Sequence, residues 1–267
     1  MTEAAAWAAL LAELDRWEAA GRRLDLWLRD DDATVPGEQL DRLAALSERF
    51  ALPVLLAAIP LLAQEALAMR LEAAPLLRPC QHGAWHCNHA PAGEKKSEFG
   101  LHRPLPAILA EIAAGRQRLR ELFGGAVLPV FVPPWNRIDP AVAAALPELG
   151  FAGLSCFRKF VLGPGGGPRL VNTDLDLIDW HRGRTGRQPA DLLAEMVRLL
   201  TIRRGQPEPH QAFGLLLHHR DHDDTAWGFL ATLLARLSGH AAVAFTGPDA
   251  LFGATMGPAA DLAADLD

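Results

Sequence analysis

Residues 24–58 read LDLWLRDDDATVPGEQLDRLAALSERFALPVLLAA, and this stretch indicates the fold class. A short apolar run is followed by a helical pattern and then by a second apolar run, which predicts a strand, a helix and a parallel strand. The same alternation continues along the chain. It predicts an α/β protein with functional groups at the carboxyl ends of its strands.

The alternation predicts eight strands, six helices and an amphipathic helix before the first strand, at about residues 3–20. The predicted strands are Leu24–Leu28, Pro53–Ala58, Leu76–Gln81, Leu128–Val132, Gly150–Ser155, Leu175–Ile178, Ala212–Leu217 and Ala241–Phe245. The predicted helices are Pro36–Phe50, Leu61–Ala73, Leu105–Phe123, Pro140–Leu149, Pro189–Arg203 and Thr225–Leu237. Because 267 residues suit one α/β barrel domain, we predict a single domain over 1–267, with its core at about 24–245 and a loosely docked tail after Thr255.

Composition excludes several classes of partner. The formal net charge of -6 provides no general basic field for nucleic acid or anionic lipid. No stretch approaches the ~20 uninterrupted apolar residues that cross a bilayer. The 3 cysteines lack CxxC spacing, which argues against a disulfide framework. We therefore predict a soluble, cytoplasmic protein.

Two clusters of potential metal ligands follow predicted strands. Asp30, Asp31 and Asp32 come directly after the first strand, and His82 and His86 follow the third. Two imidazoles at this spacing can converge on one cation, and nitrogen ligands with a carboxylate suit Zn²⁺ or a similar divalent ion. The simpler alternatives are an acidic turn that caps the next helix and a polar histidine loop.

Three later segments place polar and aromatic groups at the same end of the sheet. They are VPPW at 132–135, DLIDW at 176–180 and LLLHH at 215–219. Taken separately, each has an ordinary interpretation: a rigid turn, an aspartate-rich loop and a histidine that ends a buried strand. Together with the first two clusters they indicate one site.

The order of these five segments resembles the polysaccharide deacetylase, or NodB-homology, family of carbohydrate esterase family 4. The family motifs are approximately TFDDG, H[ST]xxH, RxPW or RPPY, DxxDW and LxxH. Here the corresponding stretches read LRDDD, HGAWH, VPPW, DLIDW and LLLH, and they span about residues 24–245. The resemblance implies an irregular (β/α) barrel, with seven strands expected, and a metal-dependent deacetylase.

The resemblance also implies roles for the first two motifs. Asp30 would be the catalytic base, and Asp31, His82 and His86 would hold the metal. These ligands suit Zn²⁺, which is favoured, or Co²⁺, Ni²⁺ or Fe²⁺. Three protein ligands leave coordination positions for water and for the acetyl carbonyl.

The remaining motifs would complete the site. By the resemblance, His218 would be the general acid and Asp179 would orient it. Trp135 and Trp180, together with Pro134, would line the pocket for the acetyl group and the sugar.

The sequence departs from the family motifs at three positions. Val132 replaces the arginine that normally pairs with the catalytic aspartate, Asp32 stands at the glycine of DDG, and Gly83 replaces the serine or threonine. The missing positive charge has four candidate sources: Arg29, Arg137, Lys95 and Lys96.

Two further groups of polar residues have a functional and a structural interpretation. The segment 87–102 supplies His89, Lys95 and Lys96, which either bind a charged part of the substrate over the mouth of the site or lie on a solvated loop. The group His219, Asp221, His222 and Asp223 could form a second metal site, but we favour the start of a helix with acidic residues in its first turn. The glycine run within 162–170 lacks the ending of a phosphate loop, which favours a surface turn.

The predicted function is hydrolysis of an acetyl amide, or alternatively an acetyl ester, on a small-molecule or glycan substrate such as a sugar or glycan precursor. Two alternatives remain. One is a metal-dependent hydrolase of another non-peptide C–N bond, and the other is a pseudoenzyme that binds metal or carbohydrate without turnover. No feature of this acidic chain indicates nucleic-acid binding.

Overall fold

The structure is a computed structural model that describes residues 2–207 and 212–253. Its centre is a curled parallel sheet of nine strands, in the order β6-β5-β4-β3-β2-β1-β10-β7, with β11 paired to β1. These strands are β1 (Leu24–Ala33), β2 (Val54–Ala58), β3 (Leu77–His82), β4 (Val130–Val132), β5 (Gly153–Leu154), β6 (Arg169–Leu170), β7 (Leu175–Asp176), β10 (Ala212–Leu217) and β11 (Val243–Phe245). A separate antiparallel pair consists of β8 (Ile178–Asp179) and β9 (Thr185–Gly186).

Helices cover the sheet and connect its strands. They are α1 (Glu3–Ala19), α2 (Glu38–Arg49), α3 (Glu65–Glu72), α4 (Leu105–Phe123), α5 (Pro140–Ala145), α6 (Pro189–Arg204), α7 (Asp224–Leu237) and α8 (Pro248–Phe252). Short 3₁₀ turns lie at Gly124–Ala126, Pro134–Asn136 and His219–Asp221. In the parts of the chain that the structure describes, no helix is long and apolar enough to cross a membrane.

Alternating side chains on the strands build two apolar layers. In β1, Leu26 and Leu28 pack in the large cluster shared with α1, α2, α6 and α7, whereas Trp27 belongs to a cluster inside the curled sheet. In β2, Leu56 likewise packs in the large outer cluster, and Leu55 packs in the inner cluster with Trp27. This period of two assigns each residue after Trp27 to one face or the other.

The predicted fold class is confirmed: the structure has the parallel, curled sheet of an irregular (β/α) barrel. The count of seven strands was too low, because the path through the sheet contains eight strands and β11 pairs with β1 as a ninth. The strand β6 was missed, since only Arg169 and Leu170 form it, directly after the glycine run. The predicted tail after Thr255 lies outside the described residues.

Candidate metal centre and its surroundings

The three aspartates at the end of β1 point in different directions. Arg29 and Asp31 continue the inner face that begins with Trp27, whereas Asp30 continues the outer face of Leu28. Asp32 leaves the extended conformation, with a φ of 72°, in the left-handed region that aspartate tolerates better than most residues. One acidic run therefore supplies three separate environments.

Asp31 is paired with a buried arginine. Arg29 Nε and Nη2 donate to the two carboxylate oxygens of Asp31 at 2.9 and 3.0 Å. The same guanidinium reaches across the sheet and donates to Ser155 Oγ at 2.9 Å, the Cys156 carbonyl at 3.0 Å and Asn136 Oδ1 at 2.6 Å. Arg29 thus provides a positive charge that Val132 does not, and it fixes the orientation of the Asp31 carboxylate.

Asp32 faces the two histidines of the third strand's motif. Its Oδ1 lies 3.1 Å from His82 Nε2 and 3.3 Å from His86 Nε2. That oxygen is buried and makes no hydrogen bond of normal geometry within the described chain. Two ligands that share a tetrahedral zinc ion at about 2.0–2.1 Å lie roughly 3.4 Å apart, so these three atoms fit a divalent ion.

Hydrogen bonds and charges prepare the three side chains for a cation. His82 Nδ1 donates to the Val132 carbonyl at 3.0 Å, which leaves the lone pair on Nε2 directed at Asp32. Burial opposes ionisation of Asp32, but the close approach of His82 and the charges of His218 and His86 lower its pKa. Burial and the charge of His82 lower the pKa of His86. An ionised carboxylate and a neutral imidazole are the forms that bind metal.

The geometry differs from the predicted ligand set in one member. Among the described residues, Asp32, His82 and His86 converge, and Asp31 is not part of that group. The reason is the alternation of β1, which turns Asp31 toward Arg29. Because three aspartates are adjacent, the DD pair of the first motif could be aligned with Asp30 and Asp31 or, one residue later, with Asp31 and Asp32.

Asp30, the predicted base, is fully buried in a separate pair. Its Oδ1 lies 2.5 Å from His219 Nδ1, and its Oδ2 accepts the His219 backbone N–H at 2.7 Å. Burial opposes protonation of His219, but the Asp30 charge outweighs it and raises the pKa of this imidazole. Asp30 therefore ties β1 to the segment that follows β10, next to His218, and does not face the imidazoles of His82 and His86.

His218 lies beside Trp180 and close to Asp176. The rings of His218 and Trp180 pack edge to face at 4.6 Å, and Trp180 Nε1 donates to Asp176 Oδ2 at 2.8 Å. Burial raises the pKa of Asp176, and the His218 charge opposes that rise. His218 Nδ1 is buried with no hydrogen-bond partner among the described residues, which leaves this nitrogen available to a ligand.

Asp179, which we predicted to orient His218, lies in a turn. Its Oδ1 accepts the backbone N–H groups of His181 and Arg182 at 3.0 and 3.1 Å. Within the described chain no hydrogen bond joins Asp179 to His218. Asp176, the first aspartate of the fourth motif, lies close enough to His218 for their charges to interact.

A buried glutamate that sequence reasoning missed holds the loop of His86. Glu98 Oε1 accepts the backbone N–H groups of Trp85 and Cys87, the two residues that flank His86, at 2.8 and 3.3 Å. Gly83 has a φ of 58°, and a Cβ there would overlap the Glu98 carboxylate and lie 2.6 Å from Pro134 Cγ. Glycine at position 83 therefore leaves room for Glu98. Nothing in the sequence indicated this contact, because Glu98 lies 14 residues after Ala84 in the chain.

The segment after His86 folds against the site. Trp135 packs on His86 with a ring separation of 4.5 Å, and Lys96 Nζ lies 5.8 Å from the Trp135 ring. Lys95 is exposed, and His89 is half-buried with its backbone N–H bound to the Ser97 carbonyl. Of the predicted substrate-binding residues in this segment, the structure places Lys96 against an aromatic wall.

The possible second metal site has the geometry of a helix start. Asp223 caps α7 by accepting the Ala226 N–H at 2.9 Å, and Asp221 lies 3.4 Å from Arg184. His222 packs on Trp227 at a ring separation of 4.6 Å. These contacts support the favoured structural interpretation of this segment.

No family sequence model matches the chain, and no curated protein sequence matches it. Solved structures do. The Bc1960 peptidoglycan N-acetylglucosamine deacetylase superposes with a TM-score of 0.56 and 14% identity, over 88% of this chain and 90% of that chain. The polysaccharide deacetylase Bc1974 from Bacillus cereus superposes with a TM-score of 0.51 and 15% identity, over 84% of this chain and 92% of that chain. A mutant of BA3943, a CE4 family pseudoenzyme, superposes with a TM-score of 0.55 and 16% identity, over 86% of this chain and 67% of that chain.

These likenesses extend over most of the chain at low identity, so they concern the fold. They include deacetylases and a pseudoenzyme, which shows that the fold alone does not decide activity. The resemblance inferred from the five motifs is confirmed at this level: the chain has the fold of the carbohydrate esterase family 4 polysaccharide deacetylases.

Proposed function

We propose that this protein is a metal-dependent deacetylase that hydrolyses an acetyl amide on a sugar or glycan precursor. The observation that carries the proposal is the convergence of Asp32 Oδ1 with the Nε2 atoms of His82 and His86. Asp31 directly precedes Asp32 in the chain, and the buried Arg29 holds its carboxylate. The metal ligands would then be Asp32, His82 and His86, and the catalytic base would be Asp31.

A divalent ion at these ligands, with Zn²⁺ favoured over Co²⁺, Ni²⁺ or Fe²⁺, would polarise the acetyl carbonyl and lower the pKa of water. Asp31 would accept the proton of the attacking water. Arg29 occupies one position on each carboxylate oxygen of Asp31, and the remaining lone pairs stay available for that proton.

His218 would donate a proton to the departing amine. Its Nδ1 has no partner in the described chain, and Trp180 packs against its ring. Asp176 fixes Trp180 through the indole N–H and thereby positions the imidazole. Trp135 and Trp180 provide aromatic surfaces that suit the apolar faces of a sugar ring and the acetyl methyl group.

The test is acetate release from a panel of N-acetyl and O-acetyl sugars by protein reconstituted with zinc, together with the metal content of each variant. We expect Asp32→Asn and His82→Ala to lose both metal and turnover. Asp31→Asn should retain metal but lose turnover, by about 100-fold or more, since a general base contributes about 10²–10⁴-fold.

Other outcomes would change the assignment. If Asp31→Asn lost the metal while Asp32→Asn kept it, the ligand would be Asp31. Stoichiometric metal with no acetate released from any sugar would favour hydrolysis of another C–N bond or a pseudoenzyme. Turnover of other amides would separate these two alternatives.

A further inference from the structure

Two cationic side chains lie beside residues of the candidate metal centre. Lys96 Nζ lies 5.8 Å from the ring of Trp135, which itself packs 4.5 Å from the ring of His86. Arg220 Nη1 lies 3.3 Å from the backbone carbonyl of Asp32. Lys96 is thus one residue removed from His86, whereas Arg220 contacts the backbone of Asp32 directly, and both cations belong to exposed residues.

Neither cation is neutralised by the protein that the structure describes. Over residues 2–207 and 212–253, no carboxylate oxygen lies within 4.0 Å of Lys96 Nζ or of the Arg220 guanidinium. Within these described residues, the side chain of Arg220 donates hydrogen bonds to two neutral oxygens, the Asp32 carbonyl and Thr34 Oγ1. Arg184, which stacks on Trp180, differs because Asp221 lies 3.4 Å from it.

The three aspartates near the end of β1 already have cationic or imidazole partners. Asp31 is paired with Arg29, and Asp30 with His219. Asp32 faces two imidazoles and, under the proposed function, a divalent cation. These three carboxylates therefore do not pair with Lys96 or Arg220, although the whole chain carries a formal charge of -6. Exposed cations without a carboxylate partner attract anionic ligands.

The segment that carries Lys96 is anchored to the body of the protein. Arg137 Nη1 donates to the Lys96 carbonyl at 2.8 Å. Phe99, three residues later, is fully buried and packs on Phe131 at a ring separation of 5.3 Å. The backbone at Lys96 is therefore held in place, which reduces the entropy lost when its side chain contacts a ligand.

We propose that Lys96 and Arg220 bind an anionic group of the substrate, a phosphoryl or a carboxylate group. The substrate class is then an N-acetyl amino sugar that carries such a group. This inference rests on the proposed function, because it places the acetyl group at the metal centre, next to the two cations. A guanidinium and an ammonium are the side chains that recognise phosphate and carboxylate oxygens.

The experiment compares three substrates that share the acetamido sugar: N-acetylglucosamine, its 1-phosphate and N-acetylmuramic acid. We would measure kcat/KM with zinc-loaded parent, Lys96→Gln and Arg220→Gln. Arg120→Gln, an equal change of charge on the exposed surface of α4, is the matched control. Charged hydrogen bonds contribute about 1.5–3 kcal/mol, so each site variant should lose about 10–100-fold on the preferred anionic sugar and little on the neutral one.

Ligand binding provides a readout that does not need turnover. By calorimetry, glucosamine 1-phosphate should bind the parent more tightly than glucosamine, and both site variants should reduce that difference. Equal kcat/KM for neutral and anionic sugars, with no effect of either variant, would overturn the inference and leave the deacetylase proposal standing. A phosphate preference that survives in both variants would also overturn it, because the metal alone would then bind the anion.

The arms of the experiment also separate the two sources of negative charge. Preference for the 1-phosphate identifies a phosphoryl site, and preference for N-acetylmuramic acid identifies a carboxylate site. If no substrate is hydrolysed, the proposed function fails, and calorimetry still decides whether the two cations bind an anion.

Discussion

At the scale of single residues, Glu98 links the inserted segment to the metal loop. Its carboxylate is fully buried and accepts backbone N–H groups of Ala84, Trp85 and Cys87. Three backbone groups around His86 are thereby fixed by one side chain. Residues that orient metal ligands in this way affect metal affinity without contacting the ion.

We expect Glu98→Gln to weaken zinc binding by about 10–100-fold, because an amide N–H₂ would replace one of the accepting oxygens. Competition with a chelating dye measures the affinity. Glu94→Gln, in the same segment but exposed, is the control and should bind zinc as the parent does. Parent-like affinity of a folded Glu98→Gln variant would show that the loop is held by other contacts.

A second residue-scale prediction concerns His222, whose pKa burial lowers to about 4. In the unfolded chain its pKa is about 6.5, so the unfolded state binds a proton first as the pH falls. The neutral, buried form stabilises the protein above about pH 6.5, and this contribution decreases between about pH 6.5 and 4 at up to about 1.4 kcal/mol per pH unit.

Urea unfolding at pH 7 and pH 5 measures this effect. The free energy of unfolding of the parent should fall more than that of His222→Phe, which keeps an aromatic ring against Trp227. Equal decreases in both proteins would mean that His222 does not contribute to the pH dependence. The raised pKa of His219 acts in the opposite direction and is present in both proteins.

At the scale of elements, α1 is an integral part of the barrel wall. Trp17 is fully buried, and its Nε1 donates to the Leu200 carbonyl of α6 at 3.3 Å. Glu13, also buried, pairs with Arg204 of α6 at 2.7 Å. The amphipathic N-terminal helix thus covers α6 and the outer layer of the sheet.

Removal of this anchor should destabilise the whole protein. We expect Trp17→Ala to reduce the free energy of unfolding by about 3–5 kcal/mol, as for other large buried aromatic side chains. Trp85→Ala, at a side chain that is 50% exposed, should change it by about 0.5 kcal/mol when a chelator removes any metal effect. Chemical denaturation of both variants measures the difference, and similar losses would contradict the role assigned to α1.

For the whole molecule, the candidate metal centre connects separate parts of the chain. Asp32 lies near the end of β1, His82 ends β3 and His86 lies in the next loop, so a bound ion would crosslink strands that β2 separates. A ligand that binds only the folded state stabilises that state by mass action. Metal binding and thermal stability should therefore change together.

We expect zinc at about one hundred times its Kd to stabilise the parent by about 2.7 kcal/mol relative to protein in chelator. Thermal unfolding with and without chelator measures this shift in Tm. Asp32→Asn should abolish the shift, whereas Asp31→Asn, the neighbouring change, should preserve it. A parent Tm that does not respond to chelator would argue against a metal centre at these residues.

Sequence alone determined the alternation of strands and helices, the (β/α) class and the end of the sheet at which polar groups gather, because these depend on local periodicity. Tertiary structure decided which aspartate faces which partner. Alternation along β1 and the left-handed φ of Asp32 separate three adjacent carboxylates. Arg29, the partner of Asp31, also donates a hydrogen bond to Ser155, which is more than a hundred residues away in the chain. Such pairings depend on distances between strands, which the order of residues does not contain.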